Sequence, residues 1–157
     1  LPVGAFGGRR EIMQRLAPLG PVYQAGTLSG NPVAMAAGLA TLEIIEHENV
    51  YARLEHKAEQ FETALRNRLD LAHYDAGLTR VGSIFWFWFG GGRAPENPSQ
   101  IHPGAAERYK QVFHHALAHG VYLAPSAYEV GFIATAHDAE SLRTAVDVIA
   151  EGIVKSK

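Results

Sequence analysis

The chain has 157 residues, the size of one ordinary domain, or of a small domain with part of another. Its 47% hydrophobic and 19% charged residues make a globular composition and exclude a disordered one. A net charge of -2, with the 14 basic residues scattered, argues against a nucleic-acid or anionic-membrane surface. The absence of cysteine rules out disulfides and thiolate metal sites and suits a reducing compartment.

No apolar run approaches the ~20 residues of a membrane span, and the opening residues lack the basic start and apolar block of a secretion signal. Leu1-Pro2-Val3-Gly4-Ala5 instead reads as a strand cut from a longer chain, so a fragment is expected. Leu1 to Gly8 is expected to be extended. Arg9 to Leu16 carries Ile12, Met13 and Leu16 at helical spacing, with Pro18 and Gly20-Pro21 as stops. A turn of small polar residues follows, from Gly26 to Pro32. Asn31 is a good N-cap and Pro32 suits the first helical position, which predicts a helix over Val33 to Ile45. Its alanines at 34, 36, 37 and 40 imply close approach to another backbone or to a ligand.

Val50, Leu54, Ala58, Phe61 and Leu65 form one apolar stripe on a second helix, from about Asn49 to Leu69. Ile84 to Phe89 is apolar on both faces and reads as a central strand covered on both sides. Gly90 to Gly104 reads as a loop. The next helix, Ala105 to His119, places Tyr109, Val112, Phe113, Ala116 and Leu117 on one face and closes at Gly120. VYLAPS and EVGFIATA are short strand candidates on either side of Ala127-Tyr128. The last helix opens with Thr135 and Asp138 in capping-box spacing and buries Leu142, Val146, Ile149 and Ile153. The whole is an α+β arrangement.

The turn is the strongest chemical signal. A helix start offers unpaired N–H groups and partial positive charge to an anion. Gly26 and Gly30 permit close approach, and the Thr27 and Ser29 hydroxyls can donate to phosphate oxygens. From these residues alone, a well-capped helix without a ligand is the commoner outcome. His115 and His119, four residues apart, could bring two imidazoles to one metal. No third ligand is spaced to join them, so a solvated helix flank is expected and no metal site is assigned. FWFWF reads as a buried strand rather than a base-stacking platform, and Arg9-Arg10 as a surface pair at a helix start.

LPVGAFGG followed by GTLSGNPVAMAAG resembles the class III (fold type I) pyridoxal-phosphate aminotransferase family. VYQAGTLSGNP and GVYLAPSAYEVGF resemble that family's aminomutase branch. The resemblance covers essentially the whole chain, as about the C-terminal third of such an enzyme. It implies that residues 1–46 end the large cofactor-binding domain and include a linking helix. Residues 47–157 would then form a small domain with a short, mainly antiparallel sheet packed by helices. The implied cofactor is pyridoxal 5'-phosphate or pyridoxamine 5'-phosphate.

In the family, Thr27 matches a threonine that binds the cofactor phosphate in the neighbouring subunit of a homodimer, with Gly26 beside it. Tyr23 and Glu129 match residues at the substrate end. Read without the family, Glu129 is a loop carboxylate in solvent. The family's Lys-x-x-Gly-Gly-Gly-x-Pro-x-Gly-Ala segment holds the lysine that binds the cofactor through an imine. It should lie just upstream of Leu1, so no catalytic residue is assigned here. None of Lys57, Lys110, Lys155 and Lys157 has that glycine-rich context. The implied setting is cytoplasmic, or plastid in a photosynthetic eukaryote, with a small-molecule substrate and neither nucleic acid nor membrane as partner. Another class III aminotransferase, an amino-acid racemase, or a non-catalytic module remain as alternative readings.

Overall fold

A computed structural model describes residues 3–157, so Leu1 and Pro2, the start of the expected extended piece, lie outside the described residues. The described chain divides into two compact units, residues 3–49 and 50–157.

In the first unit, α1 is a single turn, Arg10–Met13, rather than the helix expected to Leu16. The backbone of Arg15 to Ala17 is taken by a loop closure instead. Val22 N–H donates to Arg15 O at 2.9 Å and Ala17 N–H to Val22 O at 2.8 Å. Helix α2, Pro32–His47, starts as its sequence predicts, with Pro32 at N1 and Asn31 at the N-cap.

The second unit is a layer of three helices against one antiparallel sheet of order β1-β2-β3. Helix α3 (Val50–Arg68) leads through a 3-10 turn to β1 (Ala76–Val81). The hairpin turn Gly82-Ser83, with Gly82 at φ +58°, returns the chain along β2 (Ile84–Phe89). After the loop come α4 (Ala105–Ala118), β3 (Gly131–Phe132) and α5 (Ala139–Lys155). The α+β class and the central place of β2 are as expected.

The core forms where alternate β2 side chains meet the helices. Phe85, Phe87 and Phe89 are buried with Phe61 and Leu65 of α3, Val112 and Ala116 of α4, and Ile149 and Ile153 of α5. The Phe61 and Phe85 rings lie 5.2 Å apart and Phe85 and Phe87 5.4 Å apart. Each such ring contributes about 1.5–3 kcal/mol by leaving water. The opposite face of β2 is only partly covered, which corrects the expectation of a strand buried on both sides. Ile84 is exposed and Trp86 and Trp88 are half-buried. Trp88 instead lies over Gly77 of β1, where any Cβ would strike the indole.

Leu117, expected on the packed face of α4, is exposed; the buried stripe runs Ala105, Tyr109, Val112, Ala116, and Leu117 lies on its flank. The cap of α5 is Asp138, whose carboxylate accepts from Ser141 N–H at 2.8 Å and whose pKa that bond lowers. Thr135 takes no part in it; its carbonyl accepts from Lys57 Nζ at 2.7 Å. Among the described residues no helix is long and apolar enough to cross a membrane.

Candidate functional site

The Gly26–Pro32 turn is built by two backbone bonds, Ser29 N–H to Gly26 O at 2.9 Å and Asn31 N–H to Leu28 O at 3.1 Å. Gly30 adopts φ +71°, a conformation that favours glycine, and the space a Gly26 Cβ would take lies 2.8 Å from Ser29 Oγ.

The start of α2 is not the open anion site its position suggests. Asn31 Oδ1 accepts from both Val33 N–H and Ala34 N–H at 3.1 Å, Pro32 has no N–H, and Met35 N–H bonds to Asn31 O. The cap thus satisfies the donors that would otherwise face an anion. The free donors lie one step earlier. Among the described residues, the N–H groups of Thr27, Leu28 and Gly30 and the hydroxyls of Thr27 and Ser29 donate to nothing. A cavity of about 470 Å³ beside them is lined by Gly4, Phe6, Gln24, Gly26, Ser29 and Gly30, among others. The backbone N–H groups of Leu28 and Gly30, the Ser29 hydroxyl and the glycines around this open cavity fit a phosphate group. Thr27 and Tyr23 are exposed beside this cavity without lining it, Tyr23 at 83% exposure.

Glu129 belongs to the second unit. The segment carrying it runs irregularly from Val121 to Val130 and is not the strand expected over VYLAPS. Its carbonyls at Ala124 and Ala127 accept from side chains instead of a ladder, from Tyr109 Oη at 2.6 Å and Trp86 Nε1 at 2.8 Å. Burial, with a smaller contribution from the Glu129 charge, pushes the Tyr109 phenol up to about 12. The Glu129 carboxylate is exposed, at the end of a turn closed by its own N–H to Ser126 O at 3.1 Å. Tyr23, Gly26 and Thr27 therefore share one loop, and Glu129 sits on another in the other unit.

The remaining signals resolve locally. His115 is not on a solvated flank. Its side chain is 11% exposed because α5 packs there, with Gly152 against its ring and Glu151 Oε2 3.6 Å from its Nε2. The His119 ring lies 4.2 Å away, and no third ligand joins the pair among the described residues.

Two of the four lysine amines donate hydrogen bonds and two sit in exposed ion pairs. Lys57 donates to Thr135 O and His137 O, Lys157 to His73 O, while Lys110 and Lys155 lie 3.6 and 3.8 Å from Glu107 and Glu151. An apolar cavity of about 200 Å³, lined by Phe61, Leu123, Ile133, Leu142 and His137 among others, contains none of the expected site residues. The segment expected to be strand missed its role as a side-chain-pinned loop. The signal available was Tyr109 on the buried stripe of α4, since a buried phenol needs a hydrogen-bond acceptor.

The aminotransferase class-III family profile matches residues 1–148. Glutamate-1-semialdehyde 2,1-aminomutase from Opitutus terrae is 46% identical over 153 residues, 98% of this chain and 36% of that protein. The fold is that of β-phenylalanine aminotransferase from Variovorax paradoxus, at 23% identity and TM-score 0.79, over 95% of this chain and 34% of that one. A glutamate-1-semialdehyde aminomutase from Pseudomonas aeruginosa, solved in complex with PMP, matches 88% of this chain and 31% of its own, at 24% identity and TM-score 0.71. The chain thus spans about a third of the length of the relatives it matches. On the match across 1–148, it belongs to the class III aminotransferase family.

Proposed function

We propose that the protein carrying this chain isomerises glutamate-1-semialdehyde to 5-aminolevulinate, a tetrapyrrole precursor, with pyridoxamine or pyridoxal phosphate as cofactor. The observation that carries this reading is the 46% identity to an enzyme of that name. Bound cofactor supplies an electron sink at the carbon that carries the amine.

This chain's part is to bind and orient. The Thr27 hydroxyl and the unpaired N–H groups of the turn donate to the cofactor phosphate, and Gly26 lets that group approach the backbone. Asn31 is committed to its own helix, so it shapes the turn without touching the anion. In a homodimer, this turn serves the neighbouring subunit's site. Tyr23 lines the substrate region, and Glu129 accepts from an amino group of the substrate and so orients it. The lysine that holds the cofactor and moves the proton is assigned to the segment before Leu1. None of the four lysines present here lines the cavity beside the turn. The 157-residue chain alone is therefore inactive on this reading.

The test is to give the full-length protein glutamate-1-semialdehyde with no other amino donor or acceptor. Formation of 5-aminolevulinate is expected, with none from the 157-residue chain alone. Turnover only when a second amino compound is supplied would assign the protein to the intermolecular aminotransferases of the family instead.

A further inference from the structure

An irregular segment without a ladder has no regular way to hold a side chain in place. The segment from Val121 to Val130 is of this kind, yet it is tethered at both ends and twice in the middle. Val121 N–H donates to Ala116 O at 2.9 Å, and the paired strand β3 begins at Gly131. Between them, Tyr109 Oη donates to Ala124 O at 2.6 Å and Trp86 Nε1 to Ala127 O at 2.8 Å. The two donors come from different elements, α4 and β2, so together they restrict both the translation and the tilt of the segment. Tyr128 N–H to Ser126 Oγ at 3.2 Å and Glu129 N–H to Ser126 O at 3.1 Å then carry that restraint to Glu129.

We propose that Tyr109 and Trp86 are positioning residues, whose hydrogen bonds to Ala124 O and Ala127 O hold the Glu129 carboxylate where it meets substrate. This rests on the reading of Glu129 as a substrate-orienting residue. The surroundings suit the role. Tyr109 is buried, and its phenol, pushed up to about 12, stays a protonated donor at any working pH. Leu123 is buried beside the tether, while Glu129 itself is exposed and free to accept from a ligand. The geometry matters because a carboxylate orients an amine only at hydrogen-bond reach, and a small displacement forfeits that contact.

The experiment uses the full-length protein and the variants Tyr109→Phe, Trp86→Phe, Glu129→Gln and the double variant Tyr109→Phe/Glu129→Gln. Tyr109→Phe and Trp86→Phe each lower kcat/KM roughly three- to tenfold, mainly through KM, as the loss of one hydrogen bond would. Their cofactor content stays at that of the unaltered protein. Adding Tyr109→Phe to Glu129→Gln costs nothing further, because the group being positioned is already gone. Independently of turnover, Tyr109→Phe speeds hydrogen exchange at the Tyr128 and Glu129 amides. If Glu129→Gln turns over normally, the substrate role of Glu129 falls and the inference with it. If Glu129→Gln is impaired but both tether variants match the unaltered protein, the positioning role alone is overturned. An additive double variant overturns it too. Should Tyr109→Phe fail to fold, Trp86→Phe decides by the same readings.

Discussion

His115 gives the protein a pH dependence of known sign. Its ring is wedged between α4 and α5, and at 3.6 Å its Nε2 is too far from Glu151 for a hydrogen bond. Burial lowers its pKa below the ordinary 6.5, the Lys155 and His119 charges lower it further, and Glu151 only partly opposes them. The folded protein therefore takes up this proton less readily than the unfolded chain does. Stability from this group is complete above the unfolded value near 6.5 and falls as pH drops through it toward the lowered folded value. The urea midpoint should thus be lower at about pH 5.5 than at about pH 7.5, and His115→Gln should shrink that difference. An unchanged slope in the variant would locate the titrating group elsewhere. Helical spacing made the His115–His119 pair legible, but a spacing identifies a shared face and not the neighbour covering it. The packing of α5 against the ring, with Gly152 and Glu151 beside it, is what removes His115 from water.

At the scale of elements, runs of one kind of residue were readable and mixed ones were not. Strand β2 and helices α2 to α5 could be read because each carries an unbroken apolar run, an apolar stripe or a strong cap. Strand β1 could not, because Ala76-Gly77-Leu78-Thr79 alternates small and mid-sized residues with little contrast. The Gly82-Ser83 pair ahead of IFWFWF was its available signal, a two-residue hairpin turn. VYLAPS looked like a strand because its residues suit one. Its carbonyls, however, are claimed by a phenol and an indole that lie far off in sequence. The β2–β3 junction has its own requirement. Gly131 pairs with Phe85, and the Phe85 ring occupies the space a Cβ would need. Gly131→Ala should therefore cost about 1–3 kcal/mol by forcing a core ring aside. Equilibrium urea unfolding measures it, and a midpoint within error of the unaltered protein would show that the ring moves freely.

For the whole molecule, the second unit holds its own core, while the first holds little of one. Ala34 is the one buried residue of α2, and Val33, Leu39, Leu42 and Ile44 are exposed. The capped, alanine-rich pattern was legible as a helix, but a pattern cannot name what, if anything, approaches it. The same division applies to the site. The glycines, the hydroxyls and the Asn31 cap of the turn were legible, but not which N–H groups the cap would leave free. In the structure Asn31 closes the helix start and leaves Thr27, Leu28 and Gly30 as the available donors. The part proposed for the first unit depends on that turn gripping a phosphate. The most direct test is the dissociation constant of pyridoxamine phosphate from the full-length protein, compared with Thr27→Ser and Thr27→Val. Thr27→Ser should bind as the unaltered protein does, and Thr27→Val about tenfold more weakly, the loss expected when a hydrogen bond to a charged group is removed. Equal affinity in all three would contradict the phosphate site and leave the turn as nothing more than the cap of α2.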